Sequence, residues 1–146
     1  MGPLPFQIFF SLIKASPGVK APKHDVKSYD RVILCGPIWM GKIASPVRVF
    51  VKKYGRGVKK LYFATCCGSS DEKKNDKFGY ATVFPQVKAL VPKKRIHCEA
   101  FPIGLVVPDD KKEDNDAMMK ARLSDTNFTG KIQKRLDAFV QKINEK

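Results

Sequence analysis

The stretch that most constrains this chain is Arg31-Val32-Ile33-Leu34-Cys35-Gly36-Pro37-Ile38-Trp39-Met40-Gly41. Val32 to Cys35 is an unbroken apolar run with no polar residue in alternation. That is the pattern of a strand covered on both faces, as in the middle of a parallel α/β sheet. Gly36 and Pro37 end the run and present Trp39 just beyond the strand's C-terminal end. In open α/β sheets that edge is where ligands bind. A large planar ring placed there points to a planar partner.

The same device occurs a second time. Lys59-Lys60-Leu61-Tyr62-Phe63-Ala64-Thr65-Cys66-Cys67-Gly68 is another apolar strand that ends in small, polar and thiol residues and then glycine. Between the two, Ser45 to Gly55 predicts a short helix. Ser45 serves as N-cap, Pro46 suits the first helical position, and Gly55 stands where a C-terminal glycine belongs. Val47, Phe50, Val51 and Tyr54 fall on one face of it, with Arg48 and Lys52 on another. Strand, helix, strand is a βαβ unit, whose crossover is expected to be right-handed.

The segment Tyr29 to Tyr54 resembles the third strand, flavin loop and following helix of the flavodoxin family, and Lys59 to Ser70 resembles its fourth strand and second flavin loop. The similarity continues more weakly to the C-terminus and covers most of the chain. Flavodoxins open with a strand and a Ser/Thr/Gly-rich loop that wraps the flavin phosphate at a helix N-terminus; nothing before Tyr29 matches that loop. The resemblance implies an α/β three-layer fold: a flavodoxin-like parallel sheet with helices on both faces, here without the family's first strand, as a single domain over residues 1–146. It implies FMN as cofactor, held for electron transfer or flavin-dependent reduction, and a redox protein as partner. The residues it assigns to the flavin are Pro37, Ile38, Trp39, Met40 and Gly41 in the first loop, and Thr65, Cys66, Cys67 and Gly68 in the second. Trp39 would stack on the ring, Pro37 and Gly41 would shape the loop for close backbone approach, and the second loop would offer backbone N–H groups from the other side. The alternative function is a non-catalytic interaction module of the same fold that does not hold flavin on its own.

Composition bounds the remaining classes. A chain of 146 residues can bury a core without disulfides or metal. The formal net charge is +14 and lopsided: up to Lys60 there are twelve Lys or Arg against two acids, Asp25 and Asp30. A basic half raises nucleic acid or an acidic protein as partner. No helix-turn-helix, zinc-finger or RNA-binding signature accompanies it, so a solvated lysine-rich surface is expected, with no specific nucleic-acid partner. Cys35, Cys66, Cys67 and Cys98 sit in or at the ends of strand-like runs and form no CxxC pair. With no signal peptide legible, a reduced, cytoplasmic protein is expected. The apolar run Ile8 to Ile13 is too short to span a bilayer, so no membrane is expected as partner. His24 and His97 belong to no metal-spaced cluster, and no Ser-His-acid arrangement or carboxylate pair is legible. No catalytic or metal-ligating residue is therefore assigned.

The rest of the chain supplies helices and loops. Pro5 to Ser16 predicts a helix with a polar stripe of Gln7, Ser11 and Lys14, ended by Pro17-Gly18; the rival reading makes Phe6 to Phe10 a strand. By the flavodoxin resemblance, Pro5 to Ser16 would be the first helix and Gly18 to Pro22 a short second strand. Ser69 to Lys77 must be an exposed loop. Tyr80 to Val91 predicts a helix that Pro85 delays or kinks. Arg95 to Val107 holds a strand interrupted at Pro102 and Gly104, and Asp109 to Asp116 is a charged linker. Phe128, Ile132, Leu136, Phe139, Val140 and Ile143 trace one face of a closing amphipathic helix. Without a first strand, Val32 to Cys35 keeps an open backbone edge, so homo-oligomerisation or poor solubility is expected.

Overall fold

The two apolar runs become neighbouring parallel strands, as a βαβ unit requires. The computed structural model describes residues 19–91 and 96–145. Its elements in chain order are β1 (Arg31–Cys35), β2 (Ile38–Trp39), β3 (Lys42–Ile43), α1 (Ser45–Tyr54), β4 (Lys60–Cys67), α2 (Phe84–Lys88), β5 (Ile96–Pro102), α3 (Asn115–Lys120) and α4 (Gly130–Asn144), with short 3-10 turns between them. The main sheet has the order β1-β4-β5. Val32 stands beside Leu61 and Leu34 beside Phe63, while Phe63 stands beside Cys98 on the other flank. All three strands run the same way, so their C-terminal ends share one edge.

Helices cover both faces. On one side Val47 and Val51 of α1 and Val87 of α2 pack with Val83, Leu61, Phe63 and Ala100, and Val32 and Leu34 reach the same cluster. On the other side Phe139 and Ile143 of α4 cover Tyr62, Ala64 and Phe101. Phe63 is fully buried, and sealing such a ring from water contributes about 1.5–3 kcal/mol. This is the three-layer α/β arrangement that the sequence predicts.

The strands differ in position. In β4 Leu61 to Thr65 are all buried, as a central strand's residues must be. β1 carries an equally apolar run but lies at the sheet's edge, and its burial alternates. Val32 and Leu34 face α1 and α2, whereas Ile33 is 52% exposed and Cys35 is exposed. The expectation of a strand covered on both faces is thus corrected: among the described residues nothing pairs with the outer edge of β1.

Other boundaries move for local reasons. Residues 19–22 form no strand; the helix expected over Pro5 to Ser16 and the first residue of the Gly18–Pro22 strand lie outside the described residues. Ala44, not Ser45, occupies the N-cap of α1, and Ser45 is fully buried at the first helical position. The helix expected over Tyr80 to Val91 breaks into a 3-10 turn, Tyr80–Thr82, and α2, because Pro85 fits only the first turn of a helix. The expected charged linker Asp109 to Asp116 is partly ordered. Asp114 caps α3 by accepting from the backbone N–H groups of Asp116 and Ala117.

Candidate functional site

Segments at the C-terminal edge of the sheet bring six of the nine residues singled out in the sequence to one place. Gly36 ends β1 and donates its N–H to the Ala64 carbonyl at 3.1 Å. A side chain at that position would meet Val47 Cγ2 at 2.4 Å, so only glycine lets α1 pack this close to the strand end. The chain then makes a hairpin, in which Ile38 pairs with Ile43 and Trp39 with Lys42. Met40 and Gly41 form its two-residue turn at φ 49° and 69°. A two-residue turn with both residues left-handed matches the twist of antiparallel strands, and asparagine followed by glycine is its usual sequence. Gly41 is needed twice, since a Cβ there would also approach the Lys77 carbonyl oxygen at 2.8 Å. Met40 is the anomaly, a bulky residue in left-handed backbone. Gln86 of α2 fixes the turn by donating to the Gly41 carbonyl at 2.8 Å and the Thr82 carbonyl at 3.0 Å.

A cavity of about 500 Å³ opens beside this hairpin. Pro37, Ile38 and Trp39 form one wall, and Cys66, Cys67 and Gly68 form the floor at the end of β4. Six of the nine predicted residues therefore share one crevice. Three do not. Met40 and Gly41 turn away at the hairpin tip, and Thr65, third from the end of β4, is only 1% exposed. Gly41 acts on the site through the turn, and Thr65 through packing.

The sequence reading missed the opposite wall. Phe101, Pro102 and Ile103 close the crevice at the end of β5, and Met118, Met119, Arg122 and Leu123 cover it from α3 and the segment after it. The signal for the β5 side was available, because every strand of a parallel sheet ends at the same edge. The α3 side was hidden by the acidic stretch before it, although Asp114 is a recognisable N-cap four residues ahead of Met118.

The floor is chemically quiet. Burial pushes the Cys67 thiol up to about 11, and the Ser69 backbone hydrogen bond only partly offsets this. The Cys66 thiol is also raised, by burial and then by the nearby Cys35 thiol. Both are protonated at neutral pH, and a protonated thiol is a poor nucleophile. All four cysteines are free. Among the described residues the crevice wall carries one charged side chain, Arg122, whose Nη1 donates to the Met119 and Ala121 carbonyls at 2.8 and 2.7 Å.

A clamp behind the crevice holds its floor loop in place. Arg135 of α4 grips both carboxylate oxygens of Asp71, with Nη1 to Oδ1 at 3.0 Å, and also donates to the Ala100 carbonyl at 3.1 Å. The Tyr80 hydroxyl donates to the same carboxylate at 2.6 Å. Burial opposes the Asp71 charge, but hydrogen bonds from Arg135 and Tyr80 prevail and hold its carboxyl below the usual range. Burial, reinforced by Asp71, pushes the Tyr80 hydroxyl up to about 12, so it remains a donor. Among the described residues no cluster of His, Cys, Asp and Glu is arranged to hold a metal ion, and no helix is long and apolar enough to cross a membrane.

With this geometry established, comparison with known proteins adds one finding. A family model described as a flavodoxin domain matches residues 12–125. No curated protein and no solved structure matches the chain.

Proposed function

This chain belongs to the flavodoxin domain family, and from that premise we propose that the crevice at the C-terminal edge of its sheet holds the isoalloxazine ring of FMN for electron transfer or flavin-dependent reduction. The observation that carries the reading is the meeting of Trp39 and the Cys66–Gly68 loop across a single cavity of about 500 Å³, within the range of small-molecule sites.

The lining fits the ring better than the phosphate. A largely apolar wall with neutral thiols suits an uncharged planar ring. Space is open beside Gly68, where a Cβ would have no neighbour within 4 Å. Arg122, the charged group on the wall, is turned onto backbone carbonyls, and among the described lining residues no set of Ser, Thr and Gly amides forms a phosphate cradle. When bound, the flavin supplies the redox chemistry. The chain's part is to stack Trp39 on the ring, to present the backbone N–H groups of Cys66 to Gly68 to its edge, and to exclude water with Met118 and Met119, whose flexible thioethers adapt to a flat ligand. A redox partner protein would approach over the exposed rim at Met119.

Titration of the purified protein into FMN tests this. Flavin fluorescence should quench to saturation, and Trp39→Ala should weaken binding about two- to tenfold, the worth of an aromatic contact of about 0.5–1.5 kcal/mol. Riboflavin should compete nearly as well as FMN. Strong discrimination against riboflavin would overturn the ring-centred account, and no quenching by either flavin would favour the interaction module.

A further inference from the structure

The opposite end of the sheet carries a second, larger cavity, of about 870 Å³, where β1 and β4 begin and α4 ends. Its floor is Leu61, Tyr62, Ile96 and His97. Tyr62 spends its hydroxyl on the Lys142 carbonyl at 3.1 Å, and His97 stacks on Phe139 with ring centroids 5.8 Å apart. The rim carries four cations, Arg31, Lys59, Lys60 and Lys142, and two carboxylates, Asp30 and Glu145, which leaves an excess of two positive charges.

The charges on that rim are not balanced. Lys59 is engaged by Asp30 at 2.7 Å and Lys142 by Glu145 at 2.9 Å. Arg31 and Lys60 make no ion pair among the described residues. Arg31 donates from Nη2 to the Glu145 carbonyl at 3.3 Å, while its Nε is buried without an acceptor. A buried donor left unmade costs stability. Arg31 and Lys60 are, moreover, direct register partners across β1 and β4, on the face that α4 covers. Like charges directly opposite each other on a sheet are destabilising. An unpaired guanidinium beside an unpaired ammonium, at the mouth of a cavity large enough for a small organic ligand, is the arrangement that a dianion relieves. Arginine supplies the planar fork that fits phosphate oxygens, and lysine supplies the point charge.

We propose that this cavity binds a small, multiply charged anion through its phosphate or diphosphate group, with Arg31 and Lys60 as the primary contacts and Lys59 and Lys142 lending field from the rim. The site is separate from the crevice at the other edge, so its test does not depend on flavin.

The test is thermal unfolding of wild type, Lys60→Gln and Lys52→Gln with and without inorganic pyrophosphate at matched ionic strength, together with calorimetric titration of the wild type. Lys52 lies on the exposed surface of α1, on the opposite face of the sheet from α4, and does not line the cavity, so its substitution removes the same charge away from Arg31 and Lys60. Pyrophosphate should raise the melting temperature of wild type and of Lys52→Gln. Without the anion, Lys60→Gln should melt no lower than wild type, because a repulsion has been removed. With the anion the order should reverse, and affinity should fall about tenfold, as expected for a lost charge-assisted hydrogen bond. Arg31→Gln should lose affinity to a similar degree. The proposal is overturned if pyrophosphate gives no shift with wild type, if sulfate shifts it equally, if Lys52→Gln loses as much affinity as Lys60→Gln, or if Lys60→Gln melts lower in both conditions.

Discussion

The two ends of the three-stranded sheet are chemical opposites. At the C-terminal end, Trp39, Phe101, two methionines and two protonated thiols surround a crevice with one charged wall residue among those described. At the N-terminal end, four cations and two carboxylates ring a cavity whose floor is aromatic and aliphatic. Topology explains the contrast. Parallel strands joined by helices place every strand end, and its special turn residues, on one edge. The helices run back and deliver their C-termini, with their negative dipole ends, to the other edge. Basic residues in the last turns, such as Lys52 and Lys53 of α1 and Lys142 of α4, are favoured there. One end is thus built for stacking and the other for charge.

The largest predicted effect disables one end alone. Arg135→Met removes the partner of the Asp71 carboxylate, whose side chain is 34% exposed, and should cost about 2–3 kcal/mol in urea unfolding, somewhat below a fully buried pair. Flavin binding should weaken with it, because the floor loop is released, while pyrophosphate binding at the other end should persist. Acid sharpens the same point. The Asp71 carboxyl is held below its ordinary value of 3.8 in the folded protein. Its contribution is therefore fully present above the unfolded value and is lost as pH falls through the lower folded one. Asp71→Asn should flatten that acid limb of the stability profile.

Salt should separate the two ends next. Raising ionic strength should weaken pyrophosphate binding steeply and leave riboflavin binding nearly unchanged, since screening acts on exposed charge and not on stacking. Equal salt dependence of both ligands would break the contrast.

A smaller effect lies in the hairpin. Met40 at φ 49° is strained, and Met40→Asn should stabilise the protein by about 0.5–1 kcal/mol in thermal unfolding. The smallest change in stability is expected at the open edge. Ile33→Lys should alter unfolding by less than about 0.5 kcal/mol yet reduce concentration-dependent association in sedimentation, because a charged side chain on an edge strand discourages pairing with another chain.

Much of this architecture is legible from residue pattern, and the failures have physical causes. The runs Val32–Cys35 and Leu61–Thr65 specify parallel strands well, because apolar continuity reflects burial in a sheet. Position within the sheet is less legible. β1 has a central strand's composition and an edge strand's exposure, since burial depends on which segments arrive beside it. Pro37, Ile38, Trp39 and Cys66 to Gly68 were findable because they follow those strands directly. Phe101, Met118 and Arg122 were not, because they reach the crevice from sequence-distant segments, and charge density around Asp109 to Asp116 masked the cap of α3. Thr65 lies within the continuous buried run of β4, and only the last two residues of that strand, Cys66 and Cys67, open onto the crevice.

The most direct measurement uses the chain's single tryptophan, Trp39, as its own reporter. Riboflavin is titrated into the protein while tryptophan emission is followed. A ring stacked on Trp39 should quench that emission saturably, with the same midpoint as the quenching of flavin fluorescence and with little dependence on salt. Flavin quenching that saturates while Trp39 emission stays unchanged would place the flavin elsewhere and contradict the account.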